Sequence, residues 1–189
     1  DSGMKFEVQD SERMRIDSSG VVQVRNVDSP TLQLFNTDAS LTANQVIGDI
    51  DFYQSDPSGG GVGVVSKIRS INSSSFQGEA GLAFHTGTTS GLAERMRIDS
   101  SGNVGIGGIA DSDYRIHLYK ATNSEMAFES TGTGGGFFRI GTGHNVSGFG
   151  GAFRIYDMNA GAERMRITSG GEVQIGTAGT TSGAPTYKG

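Results

Sequence analysis

Three stretches of this chain are near copies of one another: Glu12 to Val24 (ERMRIDSSGVVQV), Glu94 to Ile106 (ERMRIDSSGNVGI) and Glu163 to Ile175 (ERMRITSGGEVQI). From the first arginine of each, charged and apolar residues alternate through the isoleucine. An extended strand would set Glu12, Met14 and Ile16 on one side and Arg13, Arg15 and Asp17 on the other, a period of two rather than a helical one. Asp17-Ser18-Ser19-Gly20 follows as a turn. Its aspartate can accept from the backbone ahead, and its glycine can take the positive φ that closes a three-residue hairpin with a bulge. Beyond the turn, Val22 and Val24, Val104 and Ile106, and Val173 and Ile175 resume the alternation and return the chain antiparallel. The motif therefore predicts a β-hairpin used three times, built on Arg13, Met14, Arg15, Ile16 and Gly20; Arg95, Met96, Arg97, Ile98 and Gly102; and Arg164, Met165, Arg166, Ile167 and Gly171.

The rest of the chain reads in the same language. Glycine supplies 31 of 189 residues, more than twice average usage, which argues for tight turns and against helices. Ile, Val, Leu and Phe together are about 22% of the chain, near the floor for an ordered protein. They nevertheless fall in alternating clusters. The expectation is an ordered all-β chain whose core is too thin for an isolated monomer and is completed by other copies.

Residues 1–26 read as the end of a preceding repeat with the first hairpin. Residues 27–108 form a unit with strands at Thr31–Phe35, Ile50–Tyr53, Val64–Ile71 and Leu82–His85 before the second hairpin. Residues 109–177 form a shorter unit with strands at Tyr114–Tyr119, Met126–Glu129, Phe137–Ile140 and Ala152–Tyr156 before the third. Residues 178–189 read as a linker or the start of a next unit. Aligned strand by strand, Leu32 and Leu34 match Ile116 and Leu118, Ile50 and Phe52 match Met126 and Phe128, and Leu82 and Phe84 match Phe153 and Ile155. Motif spacings of 82 and 69 residues are too long for one solenoid coil and suit a small sheet module per repeat. The chain opens without an initiator Met and carries a motif by residue 12, and is read as a piece of something longer.

The net charge of −5 is spread over mixed acidic and basic side chains with no basic stripe, so neither nucleic acid nor an anionic membrane is an expected partner. No apolar run is long enough to span a bilayer as a helix. Cysteine is absent, which removes disulfides, thiolate metal sites and cysteine nucleophiles.

The string ERMRIDSSGNVGIG at 94–107, spaced by segments of the type GDIDFY and AGLAFHTG, resembles the trimeric tail fibres of tailed bacteriophages. The likeness covers nearly the whole chain, though the hairpin motif alone is sharp. It implies an elongated parallel homotrimer of intertwined β modules in the virion, joined to other tail or fibre proteins and serving attachment to a host glycan or protein. In many members an intramolecular chaperone domain follows such repeats; residues 176–189 do not match one. On this reading Met14, Met96 and Met165 suit positions near a shared axis. The motif arginines face outward or across seams toward Asp17, Asp99 or glutamates of adjacent strands, so Arg97→Ala should weaken trimerisation and leave single-chain secondary structure alone. Two alternatives are a tail-fibre-like extracellular filament of end-to-end units and a tailspike that cleaves polysaccharide.

Catalytic, cofactor and metal motifs are weak. Gly105 to Ala110 fits G-x-G-x-x-A, but a hairpin repeat rather than a strand-to-helix turn carries it. His85, His117 and His144 could each supply three ligands on a threefold axis, yet no H-x-H pair completes an octahedron, and polar surface or seam positions are favoured. Asp111-Ser112-Asp113 and the DSSGN turns lack the ordered carboxylates of a calcium loop. Gly87 to Gly91 misses G-x-S-x-G by one place, and no unique carboxylate pair suits glycoside hydrolysis. Phe137, Phe138, His144 and Phe149 could stack on sugars if exposed, but alternate aromatics filling a core is the favoured reading. Asn72 and Asn145 fit glycosylation sequons, which carry no meaning in a phage protein. The expectation is a non-enzymatic structural protein with no cofactor.

Overall fold

The computed structural model describes residues 3–26, 28–58, 61–74, 78–120, 123–143, 151–176 and 186–187, and every regular element among them is a strand. The chain divides into two compact units, Asp1–Leu41 and Thr42–Gly189. The first holds β1 (Met4–Val8), β2 (Ser11–Ile16) and β3 (Val22–Val24) in one antiparallel sheet of that order. The second holds two six-stranded sheets. One is β4 (Val46–Gln54), β5 (Gly63–Asn72), β6 (Ala80–Thr88), β7 (Gly91–Ile98), β8 (Val104–Ile106) and β9 (Ile116–Leu118); the other is β10 (Asn123–Glu129), β11 (Phe137–Gly143), β12 (Ala152–Asp157), β13 (Ala162–Ile167), β14 (Val173–Ile175) and β15 (Thr186–Tyr187). Each runs in chain order, and all neighbours are antiparallel except β8 and β9. The all-β, antiparallel reading of the sequence is therefore what the chain adopts.

Register explains why these segments pair as they do. Residues opposite one another in a sheet share a face. In the β4–β9 sheet this aligns Ile50, Ile68, Phe84, Met96, Ile106 and Leu118 as one apolar row across all six strands. In the β10–β15 sheet the same alignment gives Met126, Ile140, Ile155, Met165 and Ile175, and in the small sheet Phe6, Met14 and Val24. Slipping any strand by one residue would turn its apolar side chains to the other face, so the row fixes the register. The strands at Ile50, Leu82, Met126 and Ala152 fall where the alternation puts them.

Two segments differ from the alternation. Thr31–Phe35 is not a strand, and residues 31–38 run without regular structure. Of Tyr114–Tyr119, only Ile116–Leu118 is a strand, and it extends the second sheet by lying parallel to β8. Alternation nominates a segment for a strand, but a strand forms only where an edge is there to receive it.

Strands in the larger unit make substantial contact only with their hydrogen-bonded neighbours, and the exposure of Ile50, Phe52, Met126 and Phe128 shows that these side chains have no layer covering them among the described residues. The buried apolar residues are few, Ile71, Ala83 and Ala152. By register all three lie on the face opposite the apolar row.

Candidate functional site: a closed ionic face and an open apolar face

The repeated motif does not follow simple alternation. In all three copies the register slips by one residue between the Glu and the Met: Phe6 faces Met14 while Glu7 faces Glu12, Phe84 faces Met96 while His85 faces Glu94, and Ile155 faces Met165 while Tyr156 faces Glu163. The first arginine, Arg13, Arg95 or Arg164, is the extra residue of a β-bulge. This corrects the expected sidedness of Glu12, Met14 and Ile16. The bulge carries the glutamate to the face of the second arginine and leaves Met and Ile on the other.

The consequence is a clamp within one strand. Arg15 donates through Nε and Nη2 to the two Glu12 oxygens at 2.8 and 2.7 Å, Arg97 to Glu94 at 2.9 and 2.6 Å, and Arg166 to Glu163 at 2.6 and 2.8 Å. Such paired charge-assisted bonds are the strong kind. They also correct the expectation that these arginines reach Asp17, Asp99 or glutamates of adjacent strands, since Arg15, Arg97 and Arg166 are each held by the glutamate three residues before them. The bulge arginines go elsewhere. Arg164 donates to Asp157 on β12 and Arg13 to Asn26, while Arg95 is exposed. Their carbonyls share one role, accepting from the residue just past the hairpin: Arg25 N to Arg13 O at 2.8 Å, Gly107 N to Arg95 O at 2.9 Å and Gly176 N to Arg164 O at 3.1 Å.

The turns behave as their chemistry requires. Gly20, Gly102 and Gly171 have φ of +84°, +81° and +82°, and each donates to the carbonyl of Asp17, Asp99 or Thr168 at 3.0 Å. Asp17 Oδ1 accepts from the backbone of Ser19 and Val21 at 2.9 and 3.0 Å; Asp99 Oδ1 accepts from Ser101 and Asn103 at 2.9 and 2.8 Å. The Ser19 hydroxyl also donates to Asp17 and, with those amides, holds its carboxyl below the ordinary range. These aspartates serve the turn.

Within each six-stranded sheet the clamp belongs to an ionic face. In the β4–β9 sheet, Asp49 accepts from Arg69 at 2.8 Å through both its oxygens and from Lys67 at 3.2 Å. The Arg69 guanidinium above all holds the Asp49 carboxyl down at about 2, against the opposing effect of partial burial. Lys67 also reaches Asp51 at 3.3 Å. In the β10–β15 sheet, Glu125 takes Arg139 at 2.9 Å and Arg154 at 3.3 Å, and Arg139 lies over the Tyr156 ring, 5.1 Å from its centre. Ala83 sits between Arg69 and Arg97 by register, and it is wholly buried. The long guanidinium stems roof this face of the sheet.

The opposite face is bare. Ile50, Phe52, Leu82, Ile106 and Ile116 of one sheet, and Met126, Phe128, Phe138, Phe153, Ile167 and Ile175 of the other, are all exposed and all lie on the apolar side by register. Meanwhile Arg166 and Glu163 on the ionic side are only 5% and 7% exposed. Water touches the greasy face and is kept from part of the charged one. Fully burying an Ile or Phe contributes about 1.5–3 kcal/mol, so each of these half-covered side chains leaves on the order of 1 kcal/mol unrealised. Met96 and Met165 are half-buried on this side of their sheets, and Met14 is half-buried in the equivalent row of the small sheet.

Other candidate sites take ordinary places. Gly105 to Ala110 lies in β8 and the loop after it. His85 and His117 stand on β6 and β9; burial, then the Arg69 charge, depresses the His85 pKa. No three His, Asp or Glu side chains among the described residues gather as a metal site. Asn72 is buried and donates to Thr42 and Ser74 carbonyls. A polar cleft of about 230 Å³ between Ser101, Asn103, Ser112, Asp113, Tyr114 and Arg115 holds one carboxylate rather than the two that glycoside hydrolysis needs. Phe137 and Phe138 are on β11, while His144, Asn145 and Phe149 lie outside the described residues. No protein-family model matches the chain, and no curated protein matches it in sequence.

The bulge is what sequence reasoning missed. A signal was present in Ala93 and Ala162, which stand three residues before Met96 and Met165 yet share their face. That spacing is out of step with strict alternation and requires one extra residue between.

Proposed function

We propose that this chain is a structural segment of a trimeric bacteriophage tail fibre, a shaft that carries a receptor-binding end away from the virion. The observation that supports it most is the open apolar face: three successive sheets, each roofed with ion pairs on one side and bare on the other. A single-layer sheet with one greasy face has no stable solution alone, and a second layer must come from somewhere. Copies of the same chain side by side supply it, with β-modules in tandem giving length.

The resemblance of the hairpin motif to phage fibres supplies the number three, the virion setting and the expected neighbours, other tail proteins and a host surface. The role is mechanical rather than catalytic. Ion pairs on the outer face keep the fibre wettable, and the buried inner rows resist unfolding and proteolysis.

Light scattering or sedimentation of the purified chain tests this directly. Three chain masses, with a slender particle in micrographs, is the expected result. A well-folded single chain at micromolar concentration overturns it.

A further inference from the structure

The smaller unit contains a strand-like segment that pairs with no strand among the described residues. Leu32 and Leu34 alternate with polar residues, Leu32 is 70% and Phe35 75% exposed, and among the described residues no hydrogen bond of Thr31–Phe35 is formed, backbone or side chain. Among the described residues β3 ends its sheet, and its outer edge carries no strand.

The second sheet shows what belongs there. β8 has the hairpin register of β3: Met96 faces Ile106 and Ile98 faces Val104, as Met14 faces Val24 and Ile16 faces Val22. The outer edge of β8 is filled by β9 in parallel, Val104 against Ile116 and Ile106 against Leu118, with Val104 N donating to Arg115 O at 2.9 Å and Tyr119 N to Ile106 O at 2.8 Å. Leu32 and Leu34 correspond to Ile116 and Leu118 in sequence. Transferred to the first hairpin, the same register sets Leu32 against Val22 and Leu34 against Val24.

The length and the observed path of the link bear on whose β3 is used. A parallel return ordinarily needs a connection of about a dozen residues. Residues 107–115 achieve it between β8 and β9, but only 25–31 separate β3 from Leu32, and they include Pro30. Asn26 Nδ2 also bonds the Ser29 carbonyl at 3.4 Å, which shortens the link further. In the structure this link leaves residues 31–35 off their own chain's β3 edge.

We propose that residues 31–35 are an exchanged strand, added in parallel to the β3 edge of a second copy of this chain, with Leu34 beside the neighbour's Val24. The inference rests on the assembly proposed above and assigns the segment that crosses between copies. Backbone ladder bonds would hold it, and the apolar row on that sheet would gain one more member.

The chain has no cysteine, so an engineered pair reports without interference. Val24→Cys with Leu34→Cys, oxidised mildly in the assembled full chain, is expected to give covalent two- and three-chain species on a denaturing gel. Each single variant stays at one chain mass, and the off-register pair Val24→Cys with Leu32→Cys links several-fold less. The far-UV β signal confirms that each variant has folded. A disulfide closed within one chain overturns the exchange, as does an assembled multimer whose two thiols stay free. Those outcomes leave the multimer standing, whereas a folded monomer removes the assembly itself, so the two failures are told apart.

Discussion

The two six-stranded sheets are the same apolar row laid on two different ionic faces. In β4–β9 the charged face is organised around Asp49, pinned from the adjacent strand by Arg69 and Lys67. In β10–β15 no acid stands opposite a cation in that way; Glu125 instead gathers Arg139 and Arg154 from two different strands. Bulge, clamp and turn glycine recur in both. What the two sheets keep in common is thus the row of Ile, Phe and Met and the hairpin that sets its register. The ion pairs are free to vary because their task, roofing one face, can be met by several arrangements of long side chains.

The sharpest way to break this comparison is to put a charge in the shared row. Phe84→Asp and Ile155→Asp occupy equivalent positions facing Met96 and Met165. If each row is covered by other copies, either change strands a carboxylate in an apolar layer at a cost of several kcal/mol per copy. Solution mass should then fall from multimer to single chain in both variants. Lys67→Ala on the ionic face should leave the mass unchanged. Equal loss in all three would mean that the two faces do not have separate roles.

The next effect distinguishes the clamps themselves. The Glu163 and Arg166 side chains are 8% and 6% exposed, those of Glu94 and Arg97 24% and 14%. Removing the glutamate deletes a buried two-bond clamp in the first case, costing about 3 kcal/mol, and a partly hydrated one in the second, costing about 1 kcal/mol. Denaturant melts of Glu163→Ala and Glu94→Ala should differ accordingly. Because the clamp closes inside one strand, Arg97→Ala too should weaken the sheet itself, which revises the expectation that it would touch trimerisation alone.

Acid separates the sheets in another way. The Asp49 carboxyl is lowered from its ordinary value near 3.8 to about 2 by Arg69 and Lys67. A carboxyl whose folded pKa is depressed contributes stability that is full above the unfolded value and is lost as pH falls through the folded one. The β4–β9 sheet should therefore lose stability between about pH 4 and pH 2, and Asp49→Asn should lower stability at neutral pH and flatten that part of the profile. An unchanged acid profile would show that the Asp49 network adds nothing beyond its geometry.

How much of this was legible in the sequence depends on whether a feature is local. Turn glycines, the Asx aspartates and the strands at Ile50, Leu82 and Ala152 depend on residues a few places apart, and the alternation contained them. The bulge at Arg95 was hidden because Glu-Arg-Met-Arg-Ile alternates equally well with or without an extra residue; Ala93 and the partner strand decide it. Thr31–Phe35 alternates as well as β9 does, yet among the described residues it joins no sheet. The exposed row was foreseen only as a shortage of apolar residues. Its arrangement on one face, with all three buried apolar residues on the other, needed the registers.

The smallest effect tests the turns, where the third hairpin is the weakest copy. Asp99 supplies one oxygen to two backbone amides and its other to Asn103 Nδ2 at 3.0 Å, whereas the Thr168 hydroxyl accepts from Glu172 N at 3.1 Å. Thr168→Asp would offer the Gly170 amide an acceptor in the place that Asp99 gives Ser101, with glycine already at φ +82° to close the loop. A hydrogen bond to a charged acceptor at an exposed turn is worth about 0.5 kcal/mol or slightly more, so the variant should melt later by a small, measurable amount. The reverse change, Asp99→Thr, should cost at least as much, because Asn103 is buried and would lose its carboxylate partner as well. If both substitutions are neutral, backbone geometry alone sets these hairpins, and the aspartate in the first two copies is dispensable to the fold.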